Sequence, residues 1–303
     1  MHFLTKIPLF LLLSLTLSAA PAADTVTLEA RLKESTETSS AAAELMLELL
    51  EIYTKDGQVF GVIRTASKFS RAQPEHPRRA EVMLKLIEGY AATARHEDVI
   101  TSSRQFQEIF PKSALGNQVR KHLATAYERT GRKTYAAVQL SDAWKNGAST
   151  DTGVDALRLR MEANNVTSFK EATALSLAMV TSLPADAILA DISFQGMEAA
   201  SRSEQWAEGL QITQNLERSK APLDNREKRK LSSSEGRFQS RLGQHGNAIN
   251  SLRAALSPGD VETHTNLIAA MISAKKPIAE IEAEARRYLA AFPKRTTPYL
   301  LLA

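Results

Sequence analysis

The 303-residue sequence contains no cysteine. This absence excludes disulfides, thiolate zinc sites, iron–sulfur clusters and a cysteine nucleophile. Aromatic residues make up only 6% of the chain, and 38 basic against 34 acidic residues leave a net charge of +4, less than a nucleic-acid-binding surface usually carries. The motifs of serine hydrolases, metalloproteases and phosphate-binding loops are missing too. We therefore expect a protein that is not an enzyme, holds no metal or cofactor and binds no nucleic acid.

Two local features allow a ligand interpretation, and for both the structural one is favoured. His96, Glu97 and Asp98 form the densest polar cluster, at a turn where Asp98 would serve as an ordinary helix N-cap rather than as a metal ligand. Trp144 and Trp206 are expected to pack in the core rather than to form a ligand platform.

The long apolar run of the sequence lies at its N-terminus. Residues 7–17 are mainly apolar and follow the single charge of Lys6, and the small residues Ala20 and Ala22 lie where a signal peptidase would cut. The run is shorter than the roughly 20 residues that a bilayer crossing needs. It predicts a signal peptide over residues 1–22, cleaved after Ala22, with an uncleaved membrane anchor as the alternative. The mature chain is expected to lack a transmembrane segment and to be exported, periplasmic in a bacterium and secreted otherwise.

The rest of the chain is periodic. One column of positions recurs at intervals near 37 residues: Tyr53, Tyr90, Tyr127, Ala163, Ala200, Gln239 and Ile272. A second column lies 21 residues after each of these positions, and four of its seven members are proline: Pro74, Pro111, Pro184 and Pro293. A fixed period of this length is typical of stacked helical repeats.

Each period has the pattern of a helical hairpin. In the clearest unit, Leu123 and Tyr127 have the spacing of one helix face, Gly131 breaks the helix, and Ala136 and Leu140 resume the spacing on a second helix. Small residues would let the paired helices approach closely. Four larger side chains are predicted to fill the space between hairpins: Phe69, Phe106, Met179 and Leu216. Proline then ends the second helix.

These residues resemble the tetratricopeptide repeat family, which implies an all-α solenoid of about seven helical hairpins over residues 38–297. The usual period of that family is shorter, its opening aromatic is absent here, and Gly196 and Glu235 stand where a leucine is typical. A Sel1-like or HEAT-like stack is the alternative architecture. The segment 110–113 (Phe110, Pro111, Lys112 and Ser113) is also similar to repeats of periplasmic cell-envelope assembly and cell-division proteins.

Two segments flank the repeats. Residues 23–37 are predicted to be a flexible leader, although the interval 28–32 is compatible with the start of a helix. Residues 298–303 are apolar and form either a tail that folds back over the last hairpin or the start of a further helix in a longer protein.

The resemblance implies that the first helix of each hairpin lines a concave groove. The candidate groove residues are mostly basic or polar: Lys121, Thr125, Arg158, Asn165, Arg202, Arg237 and Arg241. Glu51 and Glu88 precede them, so the groove would run from acidic to basic. A basic lane favours an extended acidic peptide, and an ordinary solvated helix face is the alternative. The charge-rich residues 218–230 are interpreted as a solvated loop or as a contact for an acidic partner or for an anionic membrane surface.

The expected function is a non-catalytic scaffold that binds peptides or proteins in the cell envelope. The alternative is the solenoid portion of a larger envelope enzyme, such as a peptidoglycan-processing enzyme. A third interpretation is a self-assembly module, and the pattern leaves the oligomeric state open.

Overall fold

The computed structural model describes residues 20–292, with side chains described from residue 25. This part of the chain forms fifteen α-helices and no strand. The helices are α1 (Ala20–Glu34), α2 (Ser40–Lys55), α3 (Val59–Ala72), α4 (Arg79–Ala92), α5 (His96–Ile109), α6 (Gly116–Arg129), α7 (Lys133–Lys145), α8 (Thr150–Ala163), α9 (Val166–Ser182), α10 (Ala187–Arg202), α11 (Trp206–Ser219), α12 (Asn225–Arg241), α13 (His245–Ala255), α14 (Val261–Ser273) and α15 (Ile278–Ala291). The predicted tail 298–303 and residues 1–19 of the predicted signal peptide lie outside the described residues.

Helices α2 to α15 pair into seven hairpins. In each pair an even-numbered first helix is followed, after a short turn, by an odd-numbered second helix that packs against it. This arrangement confirms the predicted all-α repeat architecture. None of the helices over residues 20–292 combines the length and the apolar content needed to cross a membrane.

The described part of the chain divides into two compact units, with the boundary between Leu115 and Gly116. The first unit contains α1 to α5, and its core includes the fully buried Phe69. The second unit contains α6 to α15, with one core cluster centred on α9 and α10 and another between α13 and α15. Each unit thus buries apolar faces that a single hairpin could not cover.

The packing positions behave as the sequence predicts. The four large side chains expected between hairpins are all buried: Phe69, Phe106, Met179 and Leu216. The small residues Ala66, Ala136 and Ala172 are fully buried at the predicted close approaches of paired helices. Pro74 and Pro184 directly follow the C-cap residues of α3 and α9, where they end the second helix.

Every hairpin turn contains one residue in the left-handed conformation. These residues are Gly57, Ala94, Gly131, Asn164, Glu204, Gly243 and Lys275, with φ between 49° and 77°. Glycine adopts this conformation without a steric cost, whereas Ala94, Glu204 and Lys275 carry a Cβ that makes it unfavourable. The turn geometry therefore repeats in all seven hairpins although glycine occupies it in only three.

The predicted flexible leader is wrong. Residues 20–34 form α1, and Leu28 and Leu32, one helical turn apart, are buried in the core of the first unit. The Glu29 carboxylate accepts a hydrogen bond from the Tyr53 hydroxyl and forms an ion pair with Arg64. An apolar pair at this spacing gives the polar segment a face to bury, and burial stabilises the helix.

The predicted capping role of Asp98 is also wrong. Helix α5 begins at His96, so its N-cap is Arg95, and Asp98 lies within the first turn. There the Asp98 carboxylate is 2.8 Å from Arg95 Nε. A carboxylate in the first turn is favourable because of the helix dipole.

Candidate functional site

The candidate site is a groove in the second unit, built from first helices that lie side by side. Helix α8 contacts α10, and α12 contacts α14. Three adjoining cavities of 520, 560 and 620 Å³ follow α12, and each shares lining residues with the next. We call this surface the α12 groove; the residues that define it are Phe194 and Glu198 of α10, Arg229, Lys230 and Arg237 of α12, and Glu262 of α14.

Helix α12 begins with a capping box. Asp224 accepts a hydrogen bond from the Glu227 backbone N–H, and the Glu227 side chain accepts one from the Asp224 backbone N–H, both at 2.8 Å. The bond from the Glu227 N–H, helped by the Arg226 N–H and by the charges of Arg226 and Arg229, holds the pKa of Asp224 below its usual value. The cap fixes where the helix starts and therefore which side chains face the groove.

One face of α12 carries a row of cations. Arg226, Lys230, Arg237 and Arg241 follow spacings of four, seven and four residues, which place them on the same side of a helix. Arg226, Arg229, Lys230 and Arg241 are exposed, and none of them has a carboxylate within 4.0 Å among the described side chains. Apart from Arg237, whose Nη1 lies 3.4 Å from Glu262, the row therefore offers hydrogen-bond donors that have no carboxylate partner among the described side chains.

Several carboxylates also line the groove, but most of them accept hydrogen bonds from neighbouring groups. Glu198 lies 2.7 Å from Arg202 Nε, and Glu262 lies 3.4 Å from Arg237 Nη1. Asp260 accepts from the Thr263 backbone N–H at 3.0 Å and from its hydroxyl at 2.6 Å. Together with the two carboxylates of the capping box, these acceptors already have internal donors. Asp191, which also lines the groove, has no hydrogen-bond or ion-pair partner among the described residues, so the groove carries a free carboxylate as well as free cations.

Two aromatic rings hold cations of this row in place. Lys230 Nζ lies 4.4 Å from the ring centre of Phe194, and the Arg241 guanidinium lies 5.4 Å from that of Trp206. Trp206 is half-buried, and its ring centre is 6.4 Å from that of Phe238. Cation–π contacts order side chains that would otherwise move freely, so part of the entropy cost of binding is already met.

The largest of the three cavities lies between the ends of α10 and α12 and the middle of α14. Arg237, Arg241, Trp206, His245 and Asn266 line it. Both Arg237 Nε and His245 Nδ1 are buried without a hydrogen-bond partner among the described residues. Unsatisfied buried nitrogens are uncommon, and here they lie in the wall of a groove rather than in a core.

Comparisons with known proteins show the fold. No protein-family model matches the sequence, and no curated protein matches it. The structure of Naa15/Naa10 bound to HypK-THB superposes with a TM-score of 0.55 at 13% identity, covering 86% of this chain and 38% of that one. This chain thus spans little more than a third of that solved chain.

Two other solved structures are more distant. A tetratricopeptide repeat protein from Parabacteroides merdae superposes with a TM-score of 0.39 at 11% identity, covering 86% of this chain and 97% of that one. YrrB, described as a TPR protein with an unusual peptide-binding site, has a TM-score of 0.35 at 10% identity, covering 78% of this chain and 97% of that one.

The chain has a tetratricopeptide-like α-solenoid fold. Seven consecutive hairpins with a repeated left-handed turn, buried small residues within pairs and large residues between them support this assignment. The predicted resemblance to tetratricopeptide repeats and the predicted all-α solenoid fold are confirmed.

The solenoid brings two of the predicted groove residues together. Arg237 and Arg241 line the same cavity, beside Trp206. Trp206 was expected to be a core residue only, but it packs on Phe238 and also forms part of this wall. Trp144, by contrast, packs against the core of the second unit as predicted.

Other predicted residues are engaged elsewhere. Lys121 and Thr125 are exposed on α6, and the Thr125 hydroxyl donates to the Lys121 carbonyl at 3.0 Å. Arg158 on α8 lies within 4.0 Å of three carboxylates, those of Glu128, Asp155 and Glu162. Its guanidinium is therefore neutralised, and its pKa is raised chiefly by the hydrogen bond to Glu162.

The assignment of Asn165 to a first helix is wrong. Helix α8 ends at Ala163, and Asn165 is the N-cap of α9, where its side chain accepts from the Ser168 backbone N–H at 2.9 Å. Arg202 is the last residue of α10, and its guanidinium donates to the Asn164 side chain and lies 5.2 Å from the ring centre of Phe169. Both residues therefore stabilise hairpin ends.

The predicted acidic residues belong to the first unit. Glu51 on α2 pairs with Arg78 at 3.5 Å, and Glu88 on α4 lines a small cavity of 170 Å³ beside Tyr53 and Gly89.

Three groove residues, Arg226, Arg229 and Lys230, were not among the predicted groove residues. The sequence showed that residues 218–230 are rich in charge, but it allowed either a solvated loop or a binding contact there. The capping box at Asp224 and Glu227 was the available signal, because it marks a helix start and places the cations that follow on a first helix.

Proposed function

We propose that the protein is a non-catalytic scaffold that acts outside the cytoplasm and holds a peptide or protein partner in the α12 groove. The observation that carries this proposal is the set of four exposed cations on α12 that have no carboxylate within 4.0 Å among the described side chains and that line adjoining cavities between first helices; these are Arg226, Arg229, Lys230 and Arg241. Surfaces that combine ordered aromatic residues with available arginines are typical of binding sites.

The dimensions of the groove suit an extended peptide. Helix α12 has 17 residues and is therefore about 25 Å long. An extended chain rises about 3.3 Å per residue, so roughly eight residues span the helix. The lowered pKa of Asp224 has a structural cause, its capping bonds, and does not indicate acid–base chemistry in the groove.

Photo-cross-linking tests whether partners occupy the groove. A benzophenone amino acid replaces Gln195, which lines the groove on α10, and in a matched variant it replaces Gln211, which is exposed on the second helix α11. In cells that express the full chain, we expect discrete cross-linked partners from position 195 and not from position 211. Equal products from both positions, or none from position 195, would contradict a groove-binding scaffold.

Export is proposed from the N-terminal sequence and has its own test. Cleavage after Ala22 removes three residues of α1 and leaves the buried Leu28 and Leu32 in place. The mature protein is expected to begin at Ala23 by intact mass, and Ala22→Trp is expected to block processing because the peptidase needs a small residue there. Recovery of a mature chain that still begins at Met1 would overturn the export proposal while leaving the groove unaffected.

A further inference from the structure

We propose that the ligand of the α12 groove is an extended peptide with two acidic sites about five residues apart. One site would bind the N-terminal cation cluster of α12, which consists of Arg226, Arg229 and Lys230, and the other would bind Arg237 and Arg241 beside Trp206. This inference rests on the proposed function, because it names the chemistry of the partner in the same groove.

The spacing follows from the helix. Lys230 and Arg241 are eleven residues apart on one face of α12, a separation of about 16 Å. At about 3.3 Å per residue, an extended peptide covers that distance in five residues. Successive side chains of an extended chain point to opposite faces, so an acidic pair at i and i+1 and a second pair at i+5 and i+6 would each direct one carboxylate toward a cation cluster. A single acidic cluster would reach only one.

The chemistry of the two clusters favours carboxylates. Arg226 and Arg229 have no carboxylate partner within 4.0 Å among the described side chains, and their guanidinium groups can donate two parallel hydrogen bonds to a carboxylate. Arg237 has a single ion pair with the exposed Glu262, at 3.4 Å. A ligand carboxylate would give the exposed guanidinium groups of the row the partner that the described side chains do not provide.

The shape of the site favours a peptide over an anionic membrane. The cations line cavities of 520 to 620 Å³ between three helices, and Lys230 lies against the Phe194 ring at the groove wall. An extended chain can lie along these cavities and contact the cations at both ends of α12, whereas a flat bilayer surface cannot enter them.

Fluorescence anisotropy with the full mature chain tests the proposal. The probe is a labelled peptide with Asp-Glu pairs five residues apart in a Gly/Ser background. The comparison peptides are its Asn-Gln counterpart and a peptide with the same composition in which the two pairs are adjacent. We expect the first peptide to bind at least tenfold more tightly than either of the others, since each acidic site adds charge-assisted hydrogen bonds.

Charge-reversal variants locate the binding. Arg229→Glu with Lys230→Glu is expected to weaken binding of the five-residue-spaced peptide tenfold or more, and Arg241→Glu is expected to abolish its advantage over the adjacent-pair peptide. The matched control reverses Arg218 and Arg253, which are exposed on the second helices α11 and α13, and is expected to leave the affinity unchanged. Circular dichroism checks that each variant keeps its helix content.

Three results would overturn the inference. They are equal affinity for the acidic and the amide peptides, an equal loss of affinity in the control variant, and binding to phosphatidylglycerol vesicles without binding to any peptide. If cross-linking from position 195 still yields partners, the first of these results rejects the acidic ligand and leaves the groove scaffold intact. If that cross-linking also fails, the proposed function fails with it.

Discussion

Glu235 is a half-buried acid on α12, at a position where the repeat pattern would place leucine. Its carboxylate accepts a hydrogen bond from the Gln239 amide at 3.1 Å, and the single Ser251 hydroxyl hydrogen is shared between the carboxylate and the Gln239 side-chain oxygen, each 3.0 Å away. Burial raises the pKa of Glu235, and the nearby charge of Glu217 acts in the same direction. The sixth hairpin therefore joins α12 to α13 by a polar network instead of an apolar contact.

This network makes a prediction about pH. Because the folded pKa of Glu235 lies above the unfolded value, its ionisation destabilises the folded state as pH rises through that interval. Glu235→Gln keeps the hydrogen bonds, since its amide can donate to Ser251 while its oxygen accepts from Gln239. We expect the variant to have a higher Tm than wild type at pH 7 and a smaller advantage near pH 4. An advantage independent of pH would show that the buried charge is not its cause.

Gly196 is the second departure from leucine, and its cause is steric. A Cβ at this position would lie 2.0 Å from Ser176 Oγ, and that hydroxyl donates to the Ile192 carbonyl at 2.8 Å. Helices α9 and α10 thus approach too closely for any side chain here. The approach could not be predicted from the hairpin pattern, because it depends on Ser176, twenty residues earlier.

Gly196→Ala is therefore expected to be destabilising, by about 1–3 kcal/mol, as for other overpacked sites. The matched control is Gly246→Ala on α13, where a Cβ would meet no atom within 4 Å. That substitution is expected to leave stability unchanged or slightly higher, because Gly246 lies in the first turn of α13 and alanine favours helix. Urea unfolding of both variants measures the difference, and equal effects would contradict the close approach of α9 and α10.

At the scale of the element, the hairpin turn is the feature that all seven repeats share. Proline ends and apolar spacing allowed the helices to be predicted, because both depend on local chemistry. The left-handed turn residue was visible only where it is glycine, since Ala94 and Lys275 adopt positive φ under the constraint of the helices on either side. Helix α1 was missed for a related reason: its two buried leucines gain stability from a tertiary contact that its polar composition does not show.

The turns allow a paired test. Gly131→Ala is expected to destabilise by about 1–2 kcal/mol, because alanine is unfavourable at φ 77°. Ala94→Gly relieves the same strain at φ 55°, but glycine also increases the conformational entropy of the unfolded chain. The free energy of unfolding is therefore expected to rise by up to about 1 kcal/mol. Thermal unfolding under one buffer condition measures both. A loss of stability in Ala94→Gly larger than that in Gly131→Ala would refute the shared turn geometry.

At the scale of the whole molecule, the groove arises from stacking and not from any single repeat. Its cations were predicted as two unrelated features, a charged segment over residues 218–230 and a groove column at Arg237 and Arg241. The structure places both on one face of α12 because the capping box starts the helix early enough to include Arg226. The sequence could not show which carboxylates accept hydrogen bonds within the protein, because their donors lie on other helices or depend on the capping geometry.

Salt dependence tests the electrostatic part of this account. Affinity for the two-site acidic peptide is expected to fall several-fold between 50 and 200 mM salt, since the exposed cations are screened over about 10 Å at 0.1 M. The Arg229→Glu and Lys230→Glu pair should flatten this dependence, whereas the Arg218 and Arg253 reversal should not. An unchanged affinity over the same salt range would indicate an apolar binding mode.

Hydrogen–deuterium exchange tests most directly whether the first helices of the second unit form the binding surface. The full mature chain is measured with and without the two-site acidic peptide at saturation. Our account predicts slower exchange in α10, α12 and α14, with little change in the second helices α11 and α13. Protection confined to α11 and α13, or an absence of protection under saturating peptide, would contradict it.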